Sequence, residues 1–323
     1  MKAPWCSTLA LLLLGCGDGP RPFVAGDGGA VSDGSTLDGA VLPPTGDVTA
    51  LDAPAVDLAG RRNCTNVDLL FVIDSSGSMA DEQAALVRSF PGFIDGIRSR
   101  LRTASSIHLG VATTSDTFEN APGCTELGSL IVRPSGPLSS NRDCRPFRTG
   151  ANYLDQSQPD LAGRFACIGT VGTGGSDDEK PIRALLNALR PEASLPGRCN
   201  AGFLRRDSLL VVVLITDEDD VPDGCDEAGR CMTYGSGGTS EEWHRQVLAL
   251  RSGIAENVVV LSLLVNRLGA PCGNSPAARL VGFTRRFGAN GFLGDVCAVE
   301  YAGFFSDSLR VLENACANFV VPP

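Results

Sequence analysis

The chain has 323 residues, 43% of them hydrophobic, enough to bury a sizeable core. Its net charge of −10 argues against nucleic-acid binding, which needs a basic face to neutralise phosphates. Twelve cysteines against two histidines favour disulfide staples over His-based metal or acid–base sites.

Residues 1–15 read as a signal peptide, with Lys2 as the charged start and Leu9–Leu14 as a short apolar run. Such a run cannot span a bilayer. Its end, Leu13-Leu14-Gly15-Cys16, resembles the lipobox of bacterial lipoproteins, which implies cleavage before Cys16 and lipidation of that cysteine. A plain secretory signal is the alternative. Once Cys6 and Cys16 are set aside, ten cysteines remain: Cys64, Cys124, Cys144, Cys167, Cys199, Cys225, Cys231, Cys272, Cys297 and Cys316. An even count in an exported chain predicts up to five bridges, with connectivity left open. Residues 17–60 are rich in Gly, Asp, Pro and Ala and cannot bury enough apolar surface to offset the cost of ordering. They predict a disordered tether reaching on the order of 35–40 Å.

The folded part is expected over residues 63–319. Leu69–Ile73 has the length and composition of a buried parallel strand, and it stops at Asp74-Ser75-Ser76-Gly77-Ser78. A helix follows, opened by Asp81 and Glu82, with Val87, Phe90, Ile94, Ile97 and Leu101 on one face. Pro91-Gly92 predicts a kink or break in it. Ile107, Leu109 and Val111 alternate in a second strand that ends at Thr113-Thr114-Ser115-Asp116. Residues 117–175 lack helical periodicity and read as a cysteine-stapled insertion. A short helix around Ile182–Leu189 precedes the strand Leu209–Ile215, which ends at Thr216-Asp217. Residues 218–240 read as a polar loop. A helix over 241–251, a strand over 258–265, a helix over 277–287 and a terminal helix through Phe305, Leu309, Leu312 and Cys316 complete the chain. This alternation predicts an α/β fold, a doubly wound, mostly parallel sheet with helices on both faces.

In such sheets, ligands bind beyond the carboxyl ends of the strands. Asp74, Ser76 and Ser78 occupy that position at alternate places on a tight turn, so their oxygens can share one concavity. Hard oxygen donors of low charge suit Mg²⁺, with Mn²⁺ or Ca²⁺ as alternatives. Asp74-Ser75-Ser76-Gly77-Ser78 matches the DxSxS motif of von Willebrand factor A (VWA) domains, and Leu214-Ile215-Thr216-Asp217 resembles the strand that ends in that family's third metal loop. Two further stretches, 200–207 and 296–305, resemble VWA-containing bacterial lipoproteins. The resemblance implies a metal-ion-dependent adhesion site built from Asp74, Ser76, Ser78 and Asp217. It also implies a protein partner that offers an acidic residue to the ion, on the bacterial cell envelope.

The family's second loop should fall in residues 174–180, where no threonine adjoins the following helix. Alignment to the Gly-Gly lead-in selects Ser176, whereas counting back from the helix selects Asp178 or Glu179. Ser176 and Glu179 are therefore both candidates, and Asp177–Glu179 are also expected as caps of the helix. Asp219 and Asp220 are expected in a solvated acidic loop, with a second Ca²⁺ site as the alternative and Asp223 and Asp226 adding to a negative rim. No HExxH, GxSxG or phosphate-binding loop occurs, and the isolated His108 and His244 lack a catalytic pattern. The chain therefore reads as a binding module rather than an enzyme, with a structural envelope scaffold carrying a vestigial site, or a metal-assisted hydrolase, as the alternatives.

Overall fold

The computed structural model describes residues 63–115, 120–221, 224–225, 231–232, 234–273 and 275–322. The expected signal segment, Cys16, the tether over 17–60, Asp116, Asp223 and Asp226 lie outside the described residues. The chain begins with β1 (Asn66–Ile73), α1 (Ala80–Arg100), β2 (Ser106–Thr113), β3 (Leu154–Asp155) and α2 (Leu161–Gly169). Next come α3 (Pro181–Leu189), β4 (Leu209–Thr216), β5 (Gly224–Cys225), β6 (Cys231–Met232) and α4 (Ser240–Ala249). It ends with β7 (Val258–Leu264), α5 (Ala278–Arg285), β8 (Gly291–Asp295) and α6 (Ala302–Ala317).

Six strands form one sheet in the order β3-β2-β1-β4-β7-β8. All neighbours run parallel except the edge pair of β2 and β3. Along β1 the side chains alternate between two cores. Leu69, Phe71 and Ile73 meet Phe90 and Phe93 of α1, Phe165 of α2 and Phe305 of α6. Leu70 and Val72 belong to the opposite core, with Ile182 and Leu185 of α3, Trp243 of α4 and Phe283 of α5. Burial on both faces explains why these strands read as continuous apolar runs rather than alternating ones. The fold is thus an α/β sheet wound on both faces, as the alternation of elements predicts.

Several elements depart from expectation. Helix α1 continues through Pro91. Proline costs a helix on the order of 3 kcal/mol, and burying Phe90 and Phe93 each returns roughly 1.5–3 kcal/mol, so packing carries the helix past the missing hydrogen bond. The stretch over 117–175 contains α2, whose Leu161, Phe165 and Ile168 recur at helical spacing behind an N-cap, Asp160, that accepts from the Gly163 amide. Strand β8 has two glycines and no β-branched residue in Gly-Phe-Leu-Gly-Asp, so only its pairing with β7 makes it a strand.

Four bridges are formed among the described residues: Cys64–Cys316, Cys124–Cys199, Cys144–Cys167 and Cys272–Cys297. Such bridges belong to proteins of oxidising compartments. The first ties the entry to β1 to the end of α6, where the Cys64 amide also donates to the Cys316 carbonyl. The backbone register of β5 and β6 sets Cys225 opposite Cys231. No helix among the described residues is long and apolar enough to cross a membrane.

Candidate functional site

The chain leaves β1 toward β2 on one side of the sheet and reaches β4 on the other, so the strand order reverses between β1 and β4. The carboxyl ends of two adjacent parallel strands that part in this way form a crevice. Asp74 and Asp217 are the residues immediately beyond those ends. The pairing of Ile73 with Ile215 continues one step further, as the Asp74 amide donates to the Ile215 carbonyl at 2.9 Å.

The turn after β1 folds back on Asp74. Its Oδ1 accepts from the Ser76 amide at 2.7 Å, and its Oδ2 accepts from the Thr216 hydroxyl at 2.6 Å. The Ser76 and Ser78 hydroxyls lie 3.1 Å apart, and Ser78 donates to Asp217 Oδ1 at 3.1 Å. Asp74, Ser76, Ser78 and Asp217, singled out from the sequence, thus form one connected oxygen cluster. Asp74 and Asp217 are buried. An open cleft of about 520 Å³ adjoins them, lined by Ser78, Asp217, Glu218, Asp219 and Pro271 among others.

The second loop is brought to this turn by backbone contacts. The Gly175 amide donates to the Ser75 carbonyl at 2.8 Å, and a Cβ on Gly175 would stand 2.3 Å from Ser75 Oγ. Glycine is required here by close approach. Gln83 of α1 spans both loops, donating to the carbonyls of Asp74 at 3.0 Å and Gly172 at 2.7 Å while its Oε1 accepts from the Gly172 amide. Sequence patterns gave no sign of Gln83, and Thr216 appeared only as part of the Leu214–Asp217 match with no bond to Asp74 foreseen; both roles depend on contacts across 89 and 142 positions.

The two second-loop candidates differ in their partners. Ser176 Oγ accepts from the Asp178 amide at 3.0 Å, and its own amide donates to Ser115 Oγ at 3.1 Å. Glu179 is buried against Asp74 and the Thr114 hydroxyl. Among the described residues, neither of its carboxylate oxygens has a hydrogen-bond partner, and the buried hydroxyls of Ser75 and Thr114 also lack one. Burial raises the Glu179 carboxyl well above its ordinary range, and the Asp74 charge adds to the effect. Burial likewise raises Asp74, Asp217 and Glu218. For Asp74, the hydrogen bonds from Thr216 and Ser76 oppose that rise.

Asp177–Glu179 do not cap α3 through side-chain bonds. Its first amides are satisfied from a distant loop, Ile182 by Asp220 Oδ2 at 3.1 Å and Arg183 by Ser236 Oγ at 2.7 Å. Asp178 instead accepts from the Gly235 amide and pairs with Lys180. The expected solvated loop at 219–220 is corrected in the same way. Asp220 is fully buried and also accepts from the Ser236 amide and hydroxyl, while Asp219 accepts from the Arg279 and Leu280 amides at the start of α5. Open helix termini attract carboxylates from wherever the fold supplies them.

These donors fit a hard divalent cation in kind: two carboxylates, two hydroxyls, an orphaned buried acid and, among the described residues, no cationic side chain bonded to Asp74 or Asp217. Among the described residues, no three His, Cys, Asp or Glu side chains are grouped as a metal cluster, so an ion here would depend on hydroxyls and water. The histidines are engaged elsewhere. His108 Nδ1 lies 2.8 Å from the Phe203 carbonyl, and His244 packs on Phe287.

No family model matches the chain, and no curated protein does either. Among solved structures, it is similar to proximal thread matrix protein 1 from the mussel byssus in two crystal structures. Identity is 10% in both, with TM-scores of 0.41 and 0.37, covering 78% of this chain and 49% and 48% of those chains. It is also similar to the pilus adhesin SpaC of Lactobacillus rhamnosus GG in its open conformation, with 12% identity and a TM-score of 0.36, covering 80% of this chain and 31% of that one. The chain therefore spans about half or less of the structures it matches, and likenesses this distant carry no argument about its function.

Proposed function

We propose that this chain is a divalent-cation-dependent protein-binding module of the VWA type, exported and held at the bacterial envelope through a lipid on Cys16. The observation that supports this reading most directly is the single oxygen cluster made by Asp74, Ser76, Ser78 and Asp217 at the strand-order reversal. Crowded carboxyls without a bonded cationic side chain are costly to ionise in a buried place, and a bound cation removes that cost.

In this proposal Asp74, Ser76 and Ser78 hold Mg²⁺ or Mn²⁺, with Asp217 in direct or water-mediated contact and Glu179 as the acid that departs from the family's threonine. When bound, the ion supplies an electrophilic position that an acidic side chain of a partner protein completes. The adjoining cleft gives that side chain access beside Ser78 and Asp217. Binding rather than catalysis is proposed because both histidines are engaged away from the serines. The four disulfides suit an exported protein.

Titration calorimetry of the full chain with Mg²⁺ and Mn²⁺, beside Asp74→Ala, tests the reading. Saturable binding near one ion per chain, lost in the variant, is the expected result. Failure of the folded wild type to bind either ion would overturn the proposal and leave a disulfide-stapled scaffold.

A further inference from the structure

A second cleft, of about 650 Å³, lies between the loop carrying Cys144 and the start of α2. It shares no lining residue with the cleft beside Asp217. Three arginines line it, Arg142, Arg148 and Arg164, in a chain whose net charge is −10. Asp143 and Asp160 line it as well, so the lining side chains set three positive charges against two negative ones.

Two of the guanidinium groups are oriented by neutral acceptors, and among the described residues none of the three pairs with an acidic side chain. Arg142 Nε donates to Cys167 Sγ at 3.2 Å, and Arg164 Nη1 donates to the Cys144 carbonyl at 2.7 Å. Each contact uses one of the five N–H donors of its side chain. The Cys144–Cys167 bridge therefore fixes two arginines while leaving most of their donors available. The Arg148 amide donates to Gln158 Oε1, whereas its side chain has no partner among the described residues. Both acids of the cleft are committed. Asp143 is held by Arg145 through bonds of 2.9 and 2.6 Å, and Asp160 caps α2 through the Gly163 amide.

We propose that this cleft binds an oxyanion, a sulfate, phosphate or carboxylate group held by Arg142, Arg148 and Arg164. Planar guanidinium forks match the paired oxygens of such groups. The proposal is independent of the cation site, because it uses a different element and the opposite charge.

The test is calorimetry on the full oxidised chain with two probes, inorganic phosphate and a short sulfated oligosaccharide. The variants are Arg148→Gln, whose side chain leaves no intramolecular bond behind, and Arg310→Gln on α6 as a control of equal charge change. The expected result is saturable binding weakened about tenfold or more by Arg148→Gln and unchanged by Arg310→Gln. Tighter binding of the oligosaccharide, lost in the same variant, assigns the group to a glycan chain. Equal affinity for both probes assigns it to a free ion. Absence of saturable binding by either probe, or equal weakening by both variants, would overturn the proposal.

Discussion

Ser78 donates its hydroxyl hydrogen to Asp217 Oδ1 at 3.1 Å, joining the turn after β1 to the end of β4 across 139 sequence positions. The bond is partly buried and adds only about 1 kcal/mol to folding. Its consequence is positional, because it aims a hydroxyl and a carboxylate at the same space.

Ser78→Ala is therefore expected to leave the unfolding free energy within about 1 kcal/mol of wild type while lowering Mg²⁺ affinity by about tenfold or more. Urea denaturation and calorimetry on the same preparation measure both quantities. Unchanged affinity with an intact fold would remove Ser78 from the proposed site.

Gly175→Ala separates loop contact from ligand chemistry. The new Cβ would meet the Ser75 carbonyl oxygen at 2.8 Å as well as its hydroxyl, and backbone cannot yield cheaply. The expected cost is about 1–3 kcal/mol, together with loss of cation binding as the second loop retreats. Gly77→Ala is the control, since nothing lies within 4 Å of its Cβ position. Equal behaviour of the two variants would contradict the role assigned to the close approach.

Glu179→Gln tests the buried acid through pH. Burial and the Asp74 charge raise the folded-state carboxyl above its unfolded value, so folding without a cation requires it to take up a proton. Its contribution to stability is fully present below the unfolded value and is lost as pH rises toward the folded one. In chelator, the variant should match wild type near pH 4 and become the more stable protein toward pH 8, by on the order of 1–3 kcal/mol. Melting temperatures across that range provide the check, and a difference independent of pH would be inconsistent with a buried titrating acid.

Asp68→Ala addresses the other end of the sheet. Asp68 is fully buried, receives bonds from the Arg205 amide and guanidinium and from Ser208, and lies 3.8 Å from Arg251. Arg251 is itself almost wholly buried, and that burial pushes its guanidinium down to about 10. Removing the carboxylate strands this cation, with an expected loss of about 3–5 kcal/mol. Asp143→Ala, which breaks the exposed pair with Arg145, should cost no more than about 1 kcal/mol. Denaturation midpoints that ranked the two variants alike would refute the distinction.

The parallel sheet was readable from the chain's own pattern, because strands buried on both faces require unbroken apolar runs such as Leu69–Ile73 and Leu209–Ile215. The same pattern determined where Asp74 and Asp217 must fall, since a polar residue that ends such a run lies at the sheet's carboxyl edge. Helix α2 was missed, because Leu161, Phe165 and Ile168 make a short period behind Asp160 within a stretch that otherwise lacks one. The remaining features come from packing between distant segments. Strand β8 exists because β7 offers it a partner, and α1 passes Pro91 because Phe90 and Phe93 are buried. The fold alone buries Glu179 against Asp74, and it draws Asp219 and Asp220 onto the termini of α5 and α3. Runs and periods record what a residue does within its own element. Contacts between loops that are distant in sequence leave no such pattern, because each partner is chosen by the packing of the elements that carry it.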